Sequence, residues 1–293
     1  MSITIQSAKE YIQDYYALSL PNQEDDFHFT ECLEYLIHET NEPRYMMEIG
    51  GWYYERKQFD LAEEYYLMAA SYNYPSSYEC LGYIYYYGRT GKPNYQKAFE
   101  YFSRSAKTGN LVSSYKVADM YRNGYYINQD YDKYVEIIKS LFPKVKDAKN
   151  VFDPLPEIYS RLAKIYKKEG DIDKAIDLLM YAKDFLAQRL QYTSFFGDLT
   201  IMKYIILDLY SMTEIEDVFI DLFDLYYVLQ FPCTISFSIH NEEHIIKVIQ
   251  DYITMDGINY QDTDDFFSRA LIHNEKLSSL SYKIENMEIT EWN

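Results

Sequence analysis

The residues best equipped for chemistry are the two histidines of His240-Asn-Glu-Glu-His244. A zinc hydrolase needs both imidazoles on one helical face and a glutamate, as general base, directly after the first. Here asparagine follows His240, and Asn241 has the character of a helix N-cap with Glu242 and Glu243 in the first turn. The expectation is helix-start capping, with the imidazoles on different faces and no metal site. Gly88-Arg-Thr-Gly-Lys-Pro93 has the outline of a phosphate loop. No strand precedes it, and Pro93 stands where a magnesium-binding hydroxyl belongs, so it reads as a turn between helices. Asp262-Thr-Asp-Asp265 lacks the central glycine of a calcium loop and reads as the cap of a helix from Phe266. There is no Gly-x-Ser-x-Gly elbow and no activated-cysteine context. Cys32, Cys80 and Cys233 lie far apart, which disfavours a disulfide framework or structural zinc and suits a cytoplasmic protein. No catalytic residue, cofactor or metal is expected, and the chain reads as a non-enzyme.

Charge narrows the partners. With 28 Lys and Arg against 46 Asp and Glu, the 293 residues carry a formal −18. A nucleic-acid binder needs clustered positive charge, and so does a protein docking on an anionic membrane, so neither is expected. The N-terminus lacks a basic segment followed by an apolar run, and the most apolar window, 201–210, is broken by Lys203 and Asp208. Neither a secretory signal nor a membrane span is predicted. A protein or peptide ligand remains, with the oligomeric state open.

The elements that would position such a ligand come from repetition. Residues 159, 162, 163 and 166, then 175, 178, 179 and 182, form two apolar helical stripes punctuated by Gly170-Asp171. Small residues recur at matching places: twelve positions separate Gly50 from Ala62 and Ala163 from Ala175. Between these units the separation grows to sixteen, from Gly82 to Ala98 and from Ala118 to Tyr134. Only 10 Gly and 8 Pro in the chain favour long helices over a turn-rich sandwich.

The twelve-residue spacing resembles the tetratricopeptide repeat. The longer form, with its motif over Leu81–Gly88 and Ala98–Asn110, is similar to the Sel-one-like repeat. The resemblance covers about residues 43–187 and implies a right-handed α-solenoid of four helical hairpins, a scaffold for protein binding. Tyr134 stands where a small residue belongs, and Phe142-Pro143 is expected to end that helix and kink the array. Residues 1–42 read as an N-terminal helical cap, with a capping box at Ser7–Glu10 and a second helix over 30–39. Residues 188–231 read as a divergent helical pair, the second helix opening at Thr213–Glu216. Residues 232–293 read as a small β-α-β unit, giving a mainly α fold with a C-terminal α/β unit: a strand at 234–239, a helix over 242–255, and alternating strands at 280–284 and 287–289 with a slip at Glu285-Asn286.

Carried over from the family, the concave positions imply a groove lined by Tyr54, Tyr83, Tyr86, Tyr87, Tyr115 and Arg122 and ending in the cations Arg161, Lys164 and Lys168. Met47 and Gly51 replace the Lys and Asn of the family's clamp for acidic peptide tails, so a chaperone tail is not the expected ligand. The favoured function is a non-enzymatic interaction scaffold binding a peptide or partner domain in this groove. The alternatives are an acidic inhibitor or immunity-type protein that neutralises a basic target, and an enzyme or sensor in the C-terminal unit. Either long tyrosines fill the groove or they merely pack between repeats, and either a partner or the chain's own acids face the cations.

Overall fold

The computed structural model describes residues 3–192, 196–212, 222–250, 252–280 and 285–292. The chain divides into two compact units, Met1–Leu141 and Phe142–Asn293.

The first unit opens on α1 (Ile5–Tyr16) and α2 (Gln23–Thr40). The capping box of α1 joins Thr4 to Ser7, a turn ahead of the expected Ser7–Glu10 box. With Thr4 as the N-cap, Ser7 becomes the third helical residue and its hydroxyl accepts from the Thr4 N–H, while Ala8, Ile12 and Tyr15 form the buried face. Asn22 caps α2 through the N–H groups of Glu24 and Asp25, well before the expected start at residue 30. The two helices bury Phe29, Leu33 and Leu36 against Tyr45 and Ile49 of α3 (Pro43–Glu55). A polar clasp fixes the junction: Arg56 donates to Asp26 at 3.0 Å and lies 3.8 Å above the Trp52 ring, and Trp52 Nε1 donates to the Tyr15 hydroxyl at 3.1 Å.

Helix α3 pairs with α4 (Phe59–Ser71), α5 (Pro75–Tyr87) with α6 (Tyr95–Lys107), and α7 (Leu111–Asn123) is followed by α8 (Tyr131–Val145). Proline opens α3 and α5, where its missing N–H costs nothing. Gly88 ends α5 at φ 60°, with the backbone of Pro93 so close that a Cβ would stand 2.5 Å from its nitrogen. Thr90, inside this inserted turn, donates to Glu63 at 2.7 Å, and the Tyr85 hydroxyl bonds to the same carboxylate. The Gly88–Pro93 segment is thus an interhelical turn tied back to α4. Tyr134 is fully buried, with the Arg122 guanidinium 5.4 Å from its ring. The helix expected to stop at Phe142-Pro143 instead runs to Val145. Val145 is buried, and Lys146 N–H still bonds to the Phe142 carbonyl at 3.0 Å, so the ladder closes beyond the proline.

In the second unit α9 (Leu155–Glu169) and α10 (Ile172–Leu190) form a hairpin turning at Gly170, φ 86°. Helix α11 (Phe196–Tyr210) packs on α10 and touches α9, and α12 (Leu222–Val228) follows. The expected opening at Thr213–Glu216 lies outside the described residues.

The rest of the unit is an antiparallel sheet of order β4-β3-β2-β1-β7. Its strands are β1 (Cys233–Ile239), β2 (Glu242–Ile249), β3 (Tyr252–Met255), β4 (Ile258–Tyr260) and β7 (Glu285–Trp292). The helix expected over 242–255 is therefore two strands, and the unit is not β-α-β there. His240 and Asn241 take φ 53° and 64°, the two-residue hairpin turn that matches strand twist, so Asn241 makes a turn rather than an N-cap. Ile245, Ile246, Val248, Ile249 and Ile253 are β-branched, and His244 and Ile246 alternate inward with Ile245 and Lys247 outward. Asp256-Gly257, φ 52° and 84°, repeats the turn between β3 and β4. Asp262 caps α13 (Thr263–Arg269), three residues before the expected Phe266. A small hairpin of β5 (Leu271–Ile272) and β6 (Glu275–Lys276) turns at His273-Asn274. Residues 281–284 of the expected penultimate strand lie outside the described residues. Residues 287–289 belong to β7, which pairs with β1 through two register shifts, one of them beside the Glu285-Asn286 slip.

Candidate functional site

In the first unit the tyrosines of α5 converge on one lysine of α7. Lys116 Nζ lies 5.2, 5.3, 5.5 and 5.8 Å from the ring centroids of Tyr83, Tyr86, Tyr87 and Tyr115. It donates to the Tyr87 hydroxyl at 3.4 Å. Residues 83, 86 and 87 share a helix face at i, i+3 and i+4, and α7 lies beside α5, so the repeat geometry itself builds the cluster.

The rings are held from behind. Tyr83 stacks on Tyr87 with an interplanar angle of 2° and meets Phe102 edge-on, while Tyr86 meets Tyr95 edge-on and packs on Tyr125. Burial drives the hydroxyls of Tyr83 and Tyr86 well above the usual phenol range. Tyr115 is buried and forms the floor of the cluster rather than an exposed wall, because its position faces α5. Tyr87, 48% exposed, presents most to solvent, with the Arg89 guanidinium 5.2 Å from its centroid. Tyr54 is edge-on to Phe59 and packs on the same core as Tyr83 and Tyr86. Tyr85 is buried, while Tyr53, Tyr121 and Tyr166 are half-buried.

Two carboxylates accompany the tyrosines. Glu79 accepts from Asn110 Nδ2 at 2.6 Å, and burial raises its proton affinity against the opposing pull of Asn110 and Lys116. Glu48 on α3 accepts from the Tyr16 hydroxyl at 3.0 Å and is raised by burial as well. Arg122 pairs with the buried Asp119 at 3.7 Å and turns toward Tyr134.

The remaining cations belong to the second unit. Lys164 pairs with Asp208 of α11 at 3.2 Å and lies 5.7 Å from the Tyr204 centroid. Lys167 donates to Ser211 at 2.8 Å, and Arg161 donates to the Glu157 carbonyl at 2.6 Å. Lys168 is exposed. The chain's own acid facing Lys164 is thus supplied by α11, not by the sequence neighbours Glu157, Glu169, Asp171 and Asp173.

Sequence reasoning missed a buried ionic cluster. Arg189, 5% exposed, donates to Glu157 at 2.9 Å, to Asp198 at 3.0 Å and to the carbonyls of Val151 and Asp153. Arg189 falls in the last turn of α10, and only its place on the apolar stripe, below Leu186, hinted at burial.

His244 is buried on β2, and its Nδ1 lies 2.7 Å from Asp256 Oδ2 across the β2–β3 hairpin. His240 sits in the turn, its ring 6.1 Å from that of His273. Among the described residues no three His, Cys, Asp or Glu side chains converge into a metal-binding group, and no helix is long and apolar enough to cross a membrane.

The Sel1 repeat family model matches residues 45–71, 81–110 and 112–133, the stretches that build α3 to α7 and the start of α8. The hairpin α9–α10 lies outside these matches. A Sel1 repeat protein from Oxalobacter formigenes is similar over 69% of this chain and 75% of its own, at 19% identity and a TM-score of 0.50, which shows a shared fold. The antigen c5321 of uropathogenic Escherichia coli, which displays an SLR fold, matches at 16% identity over 78% of this chain and 52% of its own, with a TM-score of 0.42. A tetratricopeptide repeat protein from Parabacteroides merdae matches at 15% identity over 77% of this chain and 84% of its own, with a TM-score of 0.41. No curated protein matches the sequence.

Proposed function

We propose that this chain is a non-enzymatic, cytoplasmic interaction module that takes a peptide segment or partner domain along the first helices of its repeats. One observation carries this reading: Tyr83, Tyr86 and Tyr87 gather around Lys116 on one face of α5 and α7. Rigid tyrosines give a large amphipathic contact area at the cost of few torsions, and such residues dominate binding energy at interfaces. The second unit offers a polar surface of its own on α9, where Arg161, Lys164 and Lys168 lie and Lys164 meets Tyr204 and Asp208.

The test is a comparative pull-down with the parent chain and the Tyr83→Ala/Tyr86→Ala variant, read by quantitative mass spectrometry. A protein held stoichiometrically by the parent and lost by the variant supports the reading. Equal recovery by both moves the binding surface off these helices.

A second reading, an acidic inhibitor that covers a basic target, draws on the net charge of −18. It requires a partner released by salt alone and indifferent to the tyrosine variant.

A further inference from the structure

Resting on that reading, we infer that the tyrosine cluster of the first unit receives a lysine or arginine side chain from the bound segment, and that Lys116 is an internal stand-in which this side chain displaces. The first argument is geometric. A lysine on a helix surface ordinarily extends its flexible stem so that the ammonium sits in water. Lys116 instead holds Nζ within 5.8 Å of four tyrosine centroids. Aromatic rings gathered within about 6 Å of one cation, here with the Tyr87 hydroxyl as an added acceptor, form an arrangement by which proteins recognise ammonium groups, because each π face is electronegative.

The second argument is that the cage does not depend on its present occupant. Tyr83 is fixed by Phe102 and Tyr87, and Tyr86 by Tyr95, Tyr125 and Phe102. Withdrawal of Lys116 leaves those supports in place. The rings still hold one cation after the exchange, and Lys116 regains water at the end of its flexible stem.

The third argument concerns sign. Glu79 shares the site, and its carboxyl stays raised even with Asn110 and Lys116 beside it. Glu79 stands one turn before Tyr83 on the same face of α5, so a second cation entering beside the tyrosines meets a carboxylate whose charge burial penalises. The chain's −18 attracts a basic segment from a distance. An acidic segment would lie against π faces and Glu79 together, and both repel it.

The experiment is a fluorescence-anisotropy titration of the full chain with two labelled peptides of equal length and equal aromatic content. One carries Lys and Arg, the other Glu at the same places. The basic peptide is expected to bind in preference to the acidic one. Lys116→Met is expected to tighten the basic peptide by removing its competitor, and Glu79→Gln to loosen it by about tenfold, the scale of a modest interfacial charge pair. Thermal melts of both variants confirm that they remain folded. Preference for the acidic peptide, failure of the basic peptide to bind, or an unchanged or weaker basic complex in Lys116→Met overturns the inference. Tyr86→Ala separates the two levels. If it weakens whichever peptide binds while preference runs to the acidic one, the surface stands and only the cation assignment falls. If it alters neither, the proposed surface itself is wrong.

Discussion

The ring of Phe102 lies across Gly82: a Cβ at that glycine would stand 2.5 Å from both Cδ1 and Cε1 of the ring. Gly50 meets Tyr66 in the same way, at 2.7 and 2.8 Å. The corresponding positions of the next two hairpins hold Ala118 with Ile138 and Ala163 with Leu179, all four fully or almost fully buried. A glycine on the first helix goes with an aromatic on the second, and an alanine with an aliphatic. Volume is traded across the crossing, a small residue on one helix facing a larger one on the other.

Gly82→Ala is therefore expected to destabilise the first unit by about 1–3 kcal/mol through overpacking. Adding Phe102→Leu should return part of that loss, since the double variant imitates the alanine–aliphatic pairs. Urea denaturation of the parent, both single variants and the double variant gives the coupling directly. Additive effects would mean that the two side chains do not compete for the same space.

Arg189→Ala is expected to cost about 3–5 kcal/mol, because it leaves the buried carboxylates of Glu157 and Asp198 without their common cation. Asp198 is already raised by burial, with Glu157 adding to the rise, so part of the deficit should be recovered at mildly acidic pH as carboxyls take up protons. Melts of the variant at neutral and acidic pH check both halves.

Glu79→Gln is expected to stabilise the chain at neutral pH, and the gain should shrink as pH falls. The sign follows from the raised carboxyl. Its folded proton affinity exceeds the ordinary value near 4.5, so the folded state binds the proton more tightly than the unfolded chain. That contribution to stability is present at low pH and is lost as pH rises through the folded value. Glutamine escapes the loss. Paired melts of parent and variant between neutral pH and the ordinary glutamate range test it, and a difference that widens on acidification contradicts the assignment.

Asn241→Gly should be tolerated and Asn241→Val should cost about 1–3 kcal/mol, since a β-branched residue at φ 64° is strained. Serine caps a helix as well as asparagine does but lacks its tolerance of positive φ, so a cap would make Asn241→Ser neutral while the hairpin turn makes it destabilising. Thermal melts of the Gly and Ser variants distinguish the two roles.

The solenoid helices were legible because small residues recur in register, and a helix crossing demands them wherever it occurs. The concave positions implied by the family resemblance put Tyr83, Tyr86 and Tyr87 in one set, and the run Asp262–Asp265 reads as a helix cap, although its helix starts at Thr263 rather than Phe266. Two kinds of feature escaped. The β2–β3 hairpin was hidden because Ile245, Ile246, Val248, Ile249, Tyr252 and Ile253 satisfy a helical spacing as well as a pleated one, and only the turns at His240-Asn241 and Asp256-Gly257 break the tie. The partners of long polar side chains escaped too. Arg189 reaches Asp198, and Lys164 reaches Asp208, over distances in sequence that no local pattern encodes.

The order of the sheet has a consequence for synthesis. Strands β1 to β4 pair with their immediate neighbours through short turns and can zip together as soon as they emerge. The other edge of β1 has to wait for β7, whose partner residues Glu285–Trp292 follow about fifty positions later. Throughout that interval Cys233–Ile239 offers an open row of backbone donors and acceptors, the kind of edge on which nascent chains stick to one another. A ribosome that stalls between β4 and β7 would therefore release a product prone to aggregate, whereas one that stalls after the repeats would release helical hairpins with no open sheet edge.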